Sequence, residues 1–245
     1  MKVPAAVDSP RWSGRAWIAP GMAIFIGRAG HQDWHHHQAH QIALGVNALV
    51  SVESPQGCHT GAAVRIPAGV RHRLSGDIVM SIYLDVLSDE ARALPEGRTL
   101  APLEIATADV TRLIDALDET TLGVRRAVRR ALGVIDLPTT DPRLAVVSAA
   151  VHSGSVRRDQ LAALVHLSPT RFSHWFVEQT GLPLRSYAKW LRLTHAVQLL
   201  ASGLSMTDAA HAVGFSDSAH FSRTFRALLG IDPSSALAEV RLQEG

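Results

Sequence analysis

The stretch from Trp34 to Gln41 reads WHHHQAHQ, four histidines in eight residues. Neutral imidazole is the commonest protein ligand for transition metals. Residues two apart on an extended chain share a face. On a strand His35, His37 and Gln41 would therefore project together, with His36 and His40 on the opposite side. The His35–His37 face continues with Ala39, Ala43 and Gly45, small residues that leave room beside the rings. The other face carries Ile42, Leu44 and Val46. Three outcomes stay open: a metal site, a pocket for an organic ligand, and a fold feature with no ligand. Cys58 is the single cysteine, which excludes an intrachain disulfide framework. It falls in QGCHTG, expected to be a hairpin loop, where a lone cysteine is more often inert than a thiolate ligand or redox switch.

These residues sit among short apolar or alternating runs. MAIFIG (22–27), QIALGV (41–46), ALVSVE (48–53), AAVRIP (62–67) and IVMSIYLDV (78–86) are punctuated by Gly, Pro, Asn and Asp. That spacing predicts an all-β barrel or sandwich, with Asn47 in a hairpin turn. From about residue 105 the period changes to helical, with Val110, Leu113, Ile114 and Leu117 on one stripe. Plain core packing explains this stripe more readily than a dimer seam, and RRAVRR (125–130) continues the region. Pro138 and TTDP interrupt it. Asp141 then reads as an N-cap with Pro142 at the first helical position, and everything after it reads as helices. The expected segments are 1–104, a β domain; 105–138, a helical linker or pairing segment; and 139–245, a helical domain.

The chain is long enough for two cores: 245 residues, 47% hydrophobic. No apolar run reaches the ~20 residues of a membrane span, and MKVPAAVDSPRW lacks the apolar core of a signal peptide. A cytoplasmic protein is expected, with no membrane partner. Residues 1–138 hold 14 Lys+Arg against 14 Asp+Glu, and residues 139–245 hold 10 against 8, which sums to the net +2. Any nucleic-acid footprint is therefore local.

The helical half contains one pattern twice. In RRDQLAALVHLSPTRFSHWFVEQT (157–180), a stripe of Leu161, Leu164 and Val165 precedes the Ser168-Pro169 start of a second helix. Phe172, Trp175 and Phe176 form the buried face of that helix, and Gly181 is placed to end it. In SMTDAAHAVGFSDSAHFSRTFRALLG (205–230), Ala209, Ala210 and Val213 precede a turn at Gly214 and a cap at Asp217. The next face is Phe221, Phe225 and Leu228. SYAKWLRLTHAVQLLASG (186–203) is long enough for one connecting helix. Each unit fits a helix-turn-helix.

Residues ~143–240 resemble the DNA-binding domain of AraC-type transcription regulators, down to the closing pattern GF…S…FSRTFR…G…P. The resemblance implies a sequence-specific regulator of transcription rather than an enzyme. It implies one recognition helix from each unit in successive major-groove segments of double-stranded DNA. The base-reading positions fall on Thr170, Ser173 and His174, and on Ser218, Ala219, Ser222 and Arg223. Arg171 and Arg226 flank them as phosphate contacts or ordinary solvated charges. Arg223 is the strongest reader, because a guanidinium bridges the two acceptors of a guanine edge. Homodimerisation and contact with RNA polymerase belong to the same class.

GAAVRIPAGVRH (61–72) is G-x5-P-x-G-x2-H, which resembles the second cupin motif and adds His72 to the set. His35, His37 and Gln41 match the H-x-H-x3-E of the first motif, with Gln41 in place of the carboxylate and Ala48 in place of the closing glycine. A cupin-like sensor barrel is thereby implied. Its candidate ligands are His35, His37, His72 and Gln41, for zinc, iron, nickel or copper. The alternative effector is a small organic molecule.

Overall fold

The computed structural model describes residues 11–134, 141–154 and 157–245. The boundary expected at Pro138 lies outside the described residues. The first part of the chain runs β1 (Ser13–Ala19), β2 (Met22–Arg28), β3 (Ala39–Gly45), β4 (Val50–Ser54), β5 (Gly57–Gly61), β6 (Ala63–Ile66), β7 (Arg73–Ser75) and β8 (Ile78–Asp85). A short α1 (Asp89–Arg92), β9 (Ala101–Pro102), α2 (Thr107–Ala116) and α3 (Thr121–Ala131) follow. Helices α4 (Pro142–His152), α5 (Arg158–Leu164), α6 (Pro169–Thr180) and α7 (Leu184–Ala201) come next. The chain closes with α8 (Met206–Ala212), α9 (Ser218–Leu229), α10 (Pro233–Glu239) and β10 (Val240–Glu244).

Strand β3 explains the layering. Its alternation sends Ile42 and Leu44 to one side of the sheet and Gln41 and Ala43 to the other. Ile42 and Leu44 join Ile24, Ile82 and Leu84 in a core that α2 and α3 cover with Leu113, Leu117, Val124 and Val128. Ala43 joins Val50, Val52, Val64, Ile66 and Leu74 in the space between two sheets. The larger sheet has the order β10-β1-β2-β8-β3-β6-β9, and the smaller is β5-β4-β7. The α2 stripe is thus spent on the barrel, the core-packing outcome. β3 is buried on both faces, so its register is firmly specified: a one-residue slip would put Gln41 into the apolar core beneath α2 and α3 and Ile42 into Gln41's place.

Three sequence expectations change. QGCHTG is not a loop: residues 57–61 form β5, which pairs with β4, with Glu53 opposite Cys58. The residues alternate too weakly in polarity to signal an edge strand. Asn47 lies in the β3–β4 connection, yet His166 is the non-glycine residue with positive φ among the described residues. The helical half also does not end in helix: β10 pairs in parallel with β1, Gly14 opposite Val240 through Ile18 opposite Glu244. The tail of the helical part is an edge strand of the larger sheet, supplied from the far end of the chain.

The helical caps follow the sequence. Asp141 accepts from Arg143 N at 3.0 Å and also from Trp175 Nε1 at 3.1 Å. Ser168 caps α6, and Asp217 Oδ1 accepts from His220 N at 2.6 Å at the start of α9. Gly181 and Gly230 close α6 and α9 in left-handed conformation. Phe172, Trp175, Phe176, Phe221, Phe225 and Leu228 are all buried in one core with Tyr187 and Trp190 of α7. Among the described residues, no helix is long and apolar enough to cross a membrane.

Candidate metal centre and nucleic-acid interface

His35 and His37 precede β3 rather than lie on it. His35 makes an isolated antiparallel bridge with His72: each backbone N donates to the other's carbonyl, at 3.0 and 2.9 Å. Gly69 N donates to His37 O at 2.8 Å, tying the second motif to the first. These pairings place the three rings together inside the barrel, with centroids 4.2 Å (His35–His72), 5.0 Å (His37–His72) and 5.8 Å (His35–His37) apart. One ligand atom from each histidine lies within 4.8 Å of the others. A zinc ion holds imidazole nitrogens at roughly 2.0–2.1 Å.

The protonation of the rings is set by their outer nitrogens. His35 Nδ1 faces the Asp33 carbonyl at 3.0 Å, His37 Nδ1 that of Ala39 at 2.9 Å, and His72 Nδ1 that of Val70 at 2.9 Å. A carbonyl only accepts, so each Nδ1 carries the proton and each Nε2 keeps its lone pair. Gln41 Oε1 lies 2.9 Å from His37 Nε2 and 3.1 Å from His72 Nε2, while Gln41 Nε2 donates to Ser81 Oγ at 2.9 Å. His35 Nε2 is buried with no partner. Four Lewis bases therefore face one another without a proton between them. A half-turn of the Gln41 amide would satisfy two of them, by turning its NH2 onto His37 and His72. With Oε1 inward, the set is compatible with a cation at its centre.

Burial keeps the rings neutral. Desolvation lowers His35 to about 3 and His37 to about 4, and pushes His72 well below its usual value. The four side chains are at most 2% exposed. His36 is exposed, and His40 is outside the cluster, its Nδ1 buried without a partner. Cys58 is exposed on β5 and likewise outside the set.

Sequence reasoning missed what closes the site. Trp190 of α7 stands 5.7 Å from the His37 ring and Tyr83 5.1 Å, centroid to centroid. Beside them Tyr187 donates its hydroxyl to Asp85 at 2.9 Å. Burial raises the Asp85 carboxyl, and burial and that carboxylate hold the Tyr187 phenol well above its ordinary range. Ser81, which orients Gln41, is opposite Ala43 in the β3–β8 register, on the same inward face. No local pattern marks these residues, because their partners lie far away in the chain.

On the helical side, Thr170, Arg171, His174, Ala219, Arg223 and Arg226 are exposed, and Ser173, Ser218 and Ser222 half-buried. They occupy the faces of α6 and α9 opposite the aromatic core. Ser173 Oγ bonds Pro169 O at 3.0 Å, and Ser222 Oγ lies 3.8 Å from Met206 Sδ. Arg226 is engaged: it ion-pairs with Asp33 of the barrel at 2.7 Å.

Comparison with known proteins bears on both halves. Residues 161–239 match the family model described as a helix-turn-helix domain. The regulator GlxA of Rhizobium meliloti is 35% identical over 101 residues, 40% of this chain and 31% of that protein. The chain spans about three tenths of the length of several curated relatives of this kind. The regulator NimR of Escherichia coli is 25% identical over 233 residues, covering 84% of this chain and 82% of that one. A crystal structure of ToxT from Vibrio cholerae superposes with a TM-score of 0.59 over 90% of this chain and 98% of that one. Its 14% identity speaks to fold alone. The names these relatives carry are those of transcription regulators, not enzymes. Residues 161–239 therefore form a helix-turn-helix domain similar to those of these regulators, and the chain shares with ToxT the fold of a β domain followed by a helical one.

Proposed function

We propose that the chain is a sequence-specific, DNA-binding regulator of transcription whose barrel senses a divalent transition metal. The sensor is assigned to residues 1–104, the connecting segment to 105–138 and the reading domain to 139–245. Thr170, Ser173 and His174 read one major-groove segment, and Ser218, Ala219, Ser222 and Arg223 the next. Arg171 and Arg226 meet phosphates. The protein acts in the cytoplasm as a homodimer and touches RNA polymerase when bound. One observation carries the sensing half of this reading: buried ligand atoms of His35, His37 and His72 lie within 4.8 Å of one another, with Gln41 Oε1 beside His37 Nε2 and His72 Nε2. His35, His37 and His72 would hold the ion and Gln41 would be a weak fourth ligand. The set of three imidazoles suits zinc, iron, nickel or copper. The bound ion would supply a positive centre that fixes the ring positions.

A second reading is favoured by a cleft of about 510 Å³ between the barrel and the helices, lined by Gly21, Tyr83, Asp85, Trp190, Thr194 and His195. An organic effector lodged there would press on α7 directly. Binding-site selection with the full chain, run with and without zinc, iron, nickel and copper, tests the proposal. Recovery of one motif whose occupancy responds to a metal supports it. Recovery of no motif removes the regulator reading, and a motif indifferent to every metal favours the organic effector.

A further inference from the structure

The segment that carries His35 also holds the second recognition helix. Asp33 N donates to the carbonyl of Gly230, the residue that ends α9, at 2.7 Å. Gln32 Nε2 donates to the Leu229 carbonyl at 3.0 Å, while Gln32 Oε1 accepts from Leu74 N at 2.9 Å. Gly230 has φ +71°, and a Cβ there would lie 2.5 Å from Asp33 O and 2.7 Å from His35 Nδ1. The approach is backbone to backbone and needs glycine.

Asp33 then turns its carboxylate onto α9. Its Oδ2 accepts from Arg226 Nε at 2.9 Å and lies 2.7 Å from a terminal guanidinium nitrogen. A guanidinium meets a DNA phosphate with the same donors. The pairing holds the Asp33 carboxyl below its usual range and raises the guanidinium. The carbonyl of the same Asp33 is the partner of His35 Nδ1. Four consecutive residues therefore connect a metal-ligand candidate to the phosphate-contact candidate of the reading helix.

We propose that Asp33 stands in for a DNA phosphate at Arg226, and that loading of the histidine site strengthens its hold. The second clause rests on the metal reading above. A His35 ring fixed at Nε2 is also fixed at Nδ1, which pins the Asp33 carbonyl and keeps α9 docked with Arg226 occupied. Metal loading then weakens DNA binding, and DNA weakens metal binding by the same factor.

The test uses the full chain and a fluorescein-labelled duplex of arbitrary sequence, because a phosphate contact is independent of sequence. Without metal, Asp33→Asn and Asp33→Ala should each tighten DNA binding about two- to fivefold, the scale of an exposed ion pair. The salt slope should steepen by about one counterion. In an Arg226→Ala background neither substitution should change affinity. Unchanged or weaker binding by both Asp33 variants, or an equal gain in both backgrounds, overturns the competition. Zinc added to the unsubstituted chain should lower its DNA affinity, and less so in Asp33→Asn. Zinc that binds stoichiometrically and leaves DNA affinity untouched overturns the coupling. Zinc that does not bind removes the metal reading, and the metal-free comparison still decides whether Asp33 competes.

Discussion

Trp190 and His37 face each other across the junction of barrel and helices, their ring centres 5.7 Å apart. Trp190 sits on α7, the helix that separates the two helix-turn-helix units. The lid of the histidine cluster is therefore part of the spacer between α6 and α9, the two helices proposed to read DNA. Any change in ring position at His37 meets a side chain whose own backbone sets that spacing.

Shrinking the lid should open the cluster. Trp190→Phe keeps an aromatic ring against His37 and removes part of the cover, a volume change the core tolerates better than truncation to alanine, which costs about 3–5 kcal/mol. Extraction of zinc by a chromophoric chelator should be faster in this variant. An unchanged extraction rate, with the fold intact by circular dichroism, would show that Trp190 does not guard the site.

Gln41→Glu should raise metal affinity by about tenfold or more, since a carboxylate adds charge where a neutral amide now supplies a single lone pair. Gln41→Leu should lower it and leave Ser81 without its donor. Competition with a chelator of known affinity ranks the three forms. An order other than Glu above Gln above Leu contradicts the place given to Gln41 Oε1.

Arg223→Ala should relax discrimination at one or two base pairs, at about 1–3 kcal/mol. Arg171→Ala should weaken binding to every sequence about equally. Selection from a randomised duplex pool with each variant separates the two effects. A motif that survives Arg223→Ala unaltered means that α9 presents a different face to the groove.

The two helix-turn-helix units differ at their turns. His166 has φ +56° where the second unit has Gly214 at φ +83°. A left-handed non-glycine residue costs about 1–2 kcal/mol, partly offset by the larger chain entropy that glycine loses on folding, about 0.5–1 kcal/mol. His166→Gly should therefore stabilise the protein by about 0.5–1 kcal/mol, read as a rise in the denaturation midpoint. A lower midpoint would show that the His166 side chain supports the turn.

The sequence was most readable where structure is local. Asp141, Ser168 and Asp217 cap their helices because a short polar side chain reaches back to its own backbone within a few residues. His35, His37, Gln41 and His72 converge because two short motifs carry them, although His35 and His37 lie before β3 and are aligned by a bridge to His72 rather than by a regular strand. Long-range relations were not readable. β10 finds its partner at the opposite end of the chain, and VRLQE has no pattern that names β1. Asp33 and Arg226 are 193 residues apart, and each alone reads as a solvated charge. β5 is a polar edge strand, and its GCHTG is indistinguishable from a loop until β4 lies beside it.

The most direct measurement is the metal content of untagged full-length protein and of its five single histidine-to-alanine variants at positions 35, 36, 37, 40 and 72. About one metal ion per chain is expected in the parent, in His36→Ala and in His40→Ala. Loss of that ion is expected in His35→Ala, His37→Ala and His72→Ala. Equal loss across all five variants, or no metal in any preparation grown with zinc, iron, nickel and copper, would contradict the metal reading.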